Sequence, residues 1–404
     1  MSTILAELQA LDPFRAEVRD WLARNLPADW RARMTGAAEE DHVAFQKFWF
    51  RKLMEPGYAA PHWPREWGGG GLSFAEQIVL YEEIARAGAP RLILYFIALH
   101  HVPGTLLHWG TEEQRRRHLP AILAGDEIWC QGFSEPGAGS DLASLRTRAE
   151  RRGDHFVVNG QKTWSSNAHL ARYCLLLART DPAAAKTKGI SYFILDLRTP
   201  GVSLRPIRQM TGASHFNEIF LDDVVIPAEN LIGPEHGGWA VAQSTLSSER
   251  GLSVLELAER MREGFKLLTA AARAPSPAGR MPIEDDEIRR RMVDVRLRIE
   301  ALRLLVNNQL SGVLRGEAAG VEPSIIKLYY SELLRDFTEL GVAIGGIEAQ
   351  YLEAVLMGGA NETGYWMQDY LYSWAWTISG GSSEIQRTII AERGLKLPRE
   401  PRAA

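Results

Sequence analysis

The sequence predicts an α+β protein. A helical N-terminal domain (1–126) is followed by a barrel-like β-domain (127–237) and a C-terminal antiparallel four-helix bundle (238–404). Three observations predict it. Apolar residues recur at helical spacing through the first third. From about residue 127 they give way to short β-branched and aromatic runs separated by Pro, Gly, Asp and Asn. At Gly238 the helical period returns and holds to the end, across one Pro/Ser/Gly break. The 404 residues, 46% of them hydrophobic, suffice for two or three cores.

The elements follow in order. Asp12-Pro13 reads as an N-cap with proline at the first helical position, and Phe14, Val18, Leu22 and Leu26 share one face until Pro27. Ser73 to Glu76 form a capping box that opens a helix closing at Gly88, and Thr111 to Gln114 form a second box. Trp67 and glycines 68–71 make the turn before the first box. In the β-domain, Asn159-Gly160 between His155–Val158 and Gln161–Trp164 predicts a hairpin, because both residues of such a turn take positive φ. Further strands are predicted at 173–177, 190–197, 202–207 and 218–225. One long helix is expected from Gly238 through Glu249 to about Ala272. After the break from Pro275 to Pro282, residues Ile288, Met292, Val295, Ile299 and Leu302 keep helical spacing, and Pro323 opens another helix.

Composition excludes several function classes. The net charge of −4 with interspersed signs and no basic–aromatic stripe speaks against nucleic acid, and Arg115-Arg116-Arg117 reads as a solvated helix face. Two cysteines, Cys130 and Cys174, make neither a disulfide framework nor a metal-ligand spacing, so no metal is expected. No stretch approaches the roughly 18 apolar residues of a membrane span. Met1 to Pro13 lacks the apolar run of a secretory signal, so a cytoplasmic location is expected.

The chemistry-bearing segment is Trp129 to Asp141, reading Trp-Cys-Gln-Gly-Phe-Ser-Glu-Pro-Gly-Ala-Gly-Ser-Asp. Glycines and hydroxyls in one loop let backbone amides approach a ligand closely. A plain surface turn has the same composition.

This segment resembles the acyl-CoA dehydrogenase signature, (Gly/Ala)-x-(Ser/Thr)-Glu-Pro-x-x-Gly-Ser-Asp. Asn159-Gly160-x-Lys162-x-Trp164-Ser165-Ser166-Asn167 is similar to the second signature of that family. Gly380-Gly381-Ser382-Ser383-Glu384-Ile385-Gln386-Arg387, with Ile390 to Arg393 behind it, is similar to the third. The three stand in family order and span most of the chain. The resemblance implies the acyl-CoA dehydrogenase fold, an FAD cofactor, an acyl-CoA substrate, an electron-transfer flavoprotein as electron acceptor, and a homodimer or homotetramer. It implies that Gln131, Phe133 and Ser134 run along the isoalloxazine ring. Gly139 belongs to the same loop, and Ser140 stands where flavin phosphate and acyl-CoA approach. Trp164 is expected beside the flavin, Ser165 and Ser166 near N5, and Ser382 and Glu384 on the adenosine half. Gly345-Gly346 resembles the Gly-Gly of the family's Gln-x-x-Gly-Gly element, with Val342 in place of Gln. Gly279-Arg280-Met281-Pro282 replaces the family's Arg-x-x-Phe-Gly.

The implied reaction removes an α-proton from an acyl thioester and passes the β-hydride to flavin N5, giving a trans-2-enoyl-CoA. In many members the base is a Glu where this chain has Gly380. A subgroup including the isovaleryl-CoA and long-chain enzymes places it on a helix of the C-terminal domain, before an Arg. Ser247-Ser248-Glu249-Arg250-Gly251 matches that place. The resemblance therefore implies Glu249 as base, Arg250 beside the substrate, and the Gly380 amide as a donor to the thioester carbonyl. Two alternatives stay open: an oxidase or monooxygenase on the same fold, and a non-catalytic subunit of a heteromeric dehydrogenase.

Overall fold

The computed structural model describes residues 10–248, 253–275, 279–317, 320–351 and 364–399. Its α-helices are α1 (Asp12–Asn25), α2 (Trp30–Met34), α3 (Glu39–Met54), α4 (Phe74–Arg86), α5 (Val102–Trp109) and α6 (Glu112–Leu123), then α7 (Gly238–Ser248), α8 (Ser253–Arg273), α9 (Asp286–Leu314), α10 (Glu322–Gly345), α11 (Trp366–Trp376) and α12 (Ser383–Ile389). Between α6 and α7 lie the strands β1 (Trp129–Gly132), β2 (Arg148–Arg152), β3 (His155–Ser166), β4 (Tyr173–Arg179), β5 (Ile190–Asp196), β6 (Val202–Ile207), β7 (Phe216–Pro227) and β8 (Leu231–Ile232). The order is helical, then sheet, then helical. The chain divides into two compact units, Glu39–Gly71 with Leu92–Gly251, and Met1–Ala38 with Leu72–Arg91 and Leu252–Ala404.

The first unit is built on a sheet of order β6-β7-β3-β2-β4-β5-β8, with β1 added parallel to β4. The run from Tyr173 to Ala178 on β4 and from Ile190 to Leu195 on β5 is buried throughout. A strand covered on both faces needs apolar residues at every position rather than at alternate ones. Phe156, Val158, Leu176, Phe193, Leu195, Ile219 and Val224 fill its core.

The predicted Asn-Gly hairpin is not a turn. β3 runs straight through Asn159 and Gly160, and the reversal lies earlier, where Arg152 pairs with His155 around Gly153 (φ +63°). Asn159-Gly160 instead faces a bulge in which β7 carries one residue more than β3, between the pairs Val158–Val224 and Gly160–Leu221. The Asn159 side chain closes this bulge: its Nδ2 donates to Asp223 Oδ1 at 2.9 Å and its Oδ1 accepts from the Asp223 amide at 2.8 Å. Gly160 is required because a Cβ there would sit 2.5 Å from Thr147 Oγ1. Close approach, not turn geometry, is what this Asn-Gly serves.

The second unit is helical. α8, α9, α10 and α11 bury Met261, Leu268, Ile299, Leu302, Tyr330, Phe337 and Trp366 against one another, with Ile78 of α4 in the same core. Glu83 on α4, 3% exposed, accepts from Arg15 and Arg19 of α1 at 2.7 and 3.0 Å and from Arg86 at 2.8 Å, so a buried carboxylate is fully paired. Ser73 and Thr111 make both halves of their capping boxes. The first helix differs from expectation by one residue. Its N-cap is Leu11 without a side-chain bond, and Asp12 lies inside the first turn, where its charge complements the helix dipole. α7 ends at Ser248 and α8 begins at Ser253, so the predicted passage through Glu249 lies outside the described residues.

Candidate functional site

In the sheet unit, β1 delivers Gln131 and Gly132 to a loop that folds back on itself. The Glu135 and Ala138 backbones exchange two hydrogen bonds of 3.0 Å, which leaves Pro136-Gly137 as the tip. The Glu135 side chain points inward. It accepts from the amides of Arg146 (2.6 Å) and Thr147 (2.8 Å) and from Lys162 Nζ (2.8 Å). Burial pushes this carboxyl up, but the Lys162 ammonium and the amide donors outweigh it and hold Glu135 below the ordinary Glu range. Lys162, fully buried on β3, also donates to the Phe133 carbonyl at 3.1 Å, and the Thr163 amide donates to the Ser134 carbonyl at 2.9 Å. Residues 133–135 are thus tied to β3 by side chain and backbone together. Gly132 is dictated by packing, since a Cβ would meet Cys174 Sγ at 2.9 Å. Beyond the tip, Gly139 and Ser140 are exposed, with open space around Gly139.

The same strand then breaks its alternation. The register shifts between Lys162–Ile219 and Ser165–Asn217, so β3 carries one extra residue there. Up to Lys162 the even-numbered residues Phe156, Val158 and Lys162 point inward. Past the bulge Ser165 is buried, Ser166 half-buried, and Trp164 is turned out, 58% exposed. Trp164 has φ +60°, a left-handed conformation that costs a non-glycine residue about 1 kcal/mol or more. Three buried polar atoms on β1, β3 and the turn after it, Gln131 Nε2, Ser165 Oγ and Asn167 Oδ1, have no hydrogen-bond partner among the described residues. An unsatisfied buried polar atom costs about 1–3 kcal/mol. An exposed indole on the strand that carries an unsatisfied hydroxyl, with an unsatisfied donor on β1 and an acceptor in the turn after β3, fits a flat heteroaromatic ring with polar edges.

The helical unit holds the other predicted residues. Gly380 (φ +63°) and Gly381 (φ +91°) form the turn between α11 and α12, and Ser382 caps α12 by accepting from the Ile385 amide at 3.4 Å. Glu384 sits exposed in the first turn of α12. Gln386 Nε2 donates to the carbonyls of Gly380 (2.9 Å) and Gly381 (3.3 Å), and Lys327 Nζ on α10 donates to Gly381 at 2.6 Å. Gly345 and Gly346 close the other end of α10. At 1.5 Å per residue they lie about 27 Å along the helix from Lys327, so one chain does not bring them to the Gly380 turn.

The structure therefore gathers Gln131, Phe133, Ser134, Trp164, Ser165 and Ser166 around β1 and β3. It gathers Gly380, Ser382 and Glu384 around the α11–α12 turn. Glu249 and Arg250 lie outside the described residues. Sequence reasoning assigned no role to Glu135, Lys162, Asn167, Lys327 or Gln386. For Lys162 a signal existed: strand alternation places it inside with Phe156 and Val158, and a buried lysine requires an anion.

The family models described as acyl-CoA dehydrogenase N-terminal, middle and C-terminal domain match residues 9–126, 130–224 and 236–395. A curated relative, "Acyl-CoA dehydrogenase IpdE1" of Mycobacterium tuberculosis, is 40% identical over 97% of this chain and 99% of its own. A solved structure titled "Tcur3481-Tcur3483 steroid ACAD" is similar with a TM-score of 0.81 and 34% identity, over 97% of this chain and 98% of that one. The ChsE4-ChsE5 complex from Mycobacterium tuberculosis gives a TM-score of 0.80 at 29% identity, with 97% and 98% covered.

Proposed function

Because the chain belongs to the acyl-CoA dehydrogenase family, an oxidoreductase family, we propose that it is an FAD-dependent enzyme that desaturates an acyl-CoA thioester between Cα and Cβ. The product is the trans-2-enoyl-CoA, and the electrons leave to an electron-transfer flavoprotein. The observation that carries the cofactor is the exposed, left-handed Trp164 on β3 together with Gln131 Nε2, Ser165 Oγ and Asn167 Oδ1, which have no partner among the described residues. The pyrimidine edge of a flavin alternates carbonyl oxygens with an N–H. Gln131 and Ser165 can donate to it and Asn167 can accept.

FAD, when bound, takes up the two electrons and the β-hydrogen. The chain does the rest. Phe133 and Ser134 are held in place by Lys162 and Thr163, so their backbone would line the ring without reorganising. We assign the α-proton to Glu249, which follows the last described residue of α7, with Arg250 beside it. Taking that proton needs a carboxylate of raised basicity, which a dry pocket provides. Enolate charge then develops on the thioester oxygen, and the Gly380 amide is one donor for it. We assign Ser140 to the region shared by cofactor phosphate and substrate, and Ser382 and Glu384 to the adenosine half.

The acyl group we propose is steroid-derived, because a structure similar along nearly the whole chain is titled a steroid ACAD. We propose a cytoplasmic homodimer or homotetramer. No helix among the described residues is long and apolar enough to cross a membrane. The test is anaerobic: the purified yellow protein is mixed with steroid-side-chain, straight-chain and branched acyl-CoAs while flavin absorbance is followed. Bleaching by the steroid class is expected. Bleaching by another class would replace the acyl assignment, and a protein that no thioester bleaches would overturn the proposed reaction.

A further inference from the structure

Among the described residues, the turn Gly380-Gly381-Ser382 is held from one side only. Gln386, 2% exposed, reaches back to both glycine carbonyls, and Lys327 reaches across from α10 to the second. The orientation of the Gln386 amide is forced, since the opposite assignment would set an oxygen against two carbonyl oxygens. Each peptide plane carries its N–H opposite its C=O. With the Gly380 and Gly381 carbonyls fixed toward Lys327 and Gln386, the amide N–H groups of Gly381 and Ser382 must face the other way. The Gly380, Gly381 and Ser382 amides donate to no acceptor among the described residues, and a Cβ on Gly380 would meet open space. Positive φ at both glycines makes this double inward carbonyl arrangement accessible.

We infer that Lys327, acting with Gln386, is a positioning residue of the proposed reaction: by holding the Gly381 carbonyl it sets the direction of the Ser382 amide and the place of Ser382, and with Gln386 on the Gly380 carbonyl it fixes the course of the turn that presents Gly380. This rests on the reading of Gly380 and Ser382 as substrate and cofactor contacts. A lysine free on a helix surface would keep its ammonium in water. This one is half-buried: burial pushes its pKa down, Glu384 and Glu332 offset part of that, and it ends at about 8. Arg387 engages Glu332, so of the two neighbouring carboxylates one already has a partner. Charged or neutral, Lys327 keeps a hydrogen to donate.

The test compares the FAD-loaded full chain with Lys327→Met and Lys327→Arg. Amide hydrogen exchange in 378–386 is expected to speed up by at least about tenfold in Lys327→Met, with other segments unchanged. Flavin reduction by saturating acyl-CoA should slow about a hundredfold, the scale of a misplaced donor, while the half-saturating concentration moves less than about threefold. Lys327→Arg, which keeps a donor, should recover most of the rate. Unchanged exchange in this segment would overturn the inference. Faster exchange with a wild-type reduction rate would reduce Lys327 to a structural tie and overturn it equally. If no acyl-CoA bleaches the wild type, the proposed reaction fails on its own, and FAD retention on dialysis decides Lys327: loss from Lys327→Met alone supports it, equal retention overturns it. Should Lys327→Met not fold, Lys327→Leu, which also lacks a donor, carries the same readouts.

Discussion

Lys162 is a buried cation held by one carboxylate and one carbonyl, and its neighbour Glu135 is held by two amides besides. Removing one member of such a pair strands the other, at a cost of about 3–5 kcal/mol. Lys162→Met should therefore lower unfolding free energy by that order in urea melts at pH 7. The pH dependence has a definite sign. Glu135 is held below its ordinary value in the fold, so its contribution is present above the unfolded value near 4.5 and is lost as pH falls through the folded value. Wild-type stability should thus decline below about pH 4.5, and Lys162→Met should show a smaller decline over the same range. At Glu249 the expectation concerns rate: Glu249→Gln should keep bound FAD yet reduce it at least about a hundred- to ten-thousand-fold more slowly in stopped flow. Near-normal reduction would remove Glu249 as the base. Trp164 shows where single residues escape sequence reasoning. Strand alternation puts position 164 inside with 156, 158 and 162, and only the extra residue after Lys162 turns it out. A bulge leaves no mark in hydrophobic pattern, so the outward turn of Trp164 was not legible by period.

Among the elements, helices were the more legible. Both capping boxes form as read, and Met292, Val295, Ile299 and Leu302 line the buried face of α9. These signals are local, and local hydrogen bonds satisfy them wherever the segment ends up. The strands at 173–177, 190–197, 202–207 and 218–225 are found within a residue or two of β4 to β7. β1 and β8 were not read, because they are only 4 and 2 residues long and owe their pairing to β4 and β5, far along the chain; β2 pairs with the adjacent β3, but its sequence, Arg-Ala-Glu-Arg-Arg, carries no apolar strand pattern. The Asn-Gly hairpin failed for the same reason: what fixes Asn159-Gly160 is Asp223 and Thr147, neither of them adjacent. Helix packing offers its own test. Gly341 of α10 lies against the Trp366 indole, where a Cβ would come within 2.2 Å of Cε3. Gly341→Ala should cost about 1–3 kcal/mol by overpacking, despite alanine's better helix propensity. A stabilised variant in a denaturant melt would show that α11 can slide away.

For the molecule as a whole, the proposed cofactor would also be a stability term. The unsatisfied atoms at Gln131, Ser165 and Asn167 cost the apo fold, and a ligand that pairs them binds the native state alone. Linkage then gives about 2.7 kcal/mol at a hundredfold excess of FAD over its dissociation constant. Deflavinated protein should melt lower, and its melting temperature should climb with added FAD. A melting temperature indifferent to FAD would contradict the cofactor assignment. Both units are stitched from separated stretches, which also bears on how the chain is made. α1 and α4 leave the ribosome early, yet the helices that complete their core begin only at Ser253, some 160 residues after Arg91. At about 5–20 residues per second the ribosome needs roughly ten to thirty seconds to deliver them. Through that interval Ile78 and its neighbours have no finished core to enter. Nascent chains of this protein are therefore natural clients for chaperones, and synonymous codon changes between 92 and 251 that alter translation speed should change soluble yield without changing a single residue.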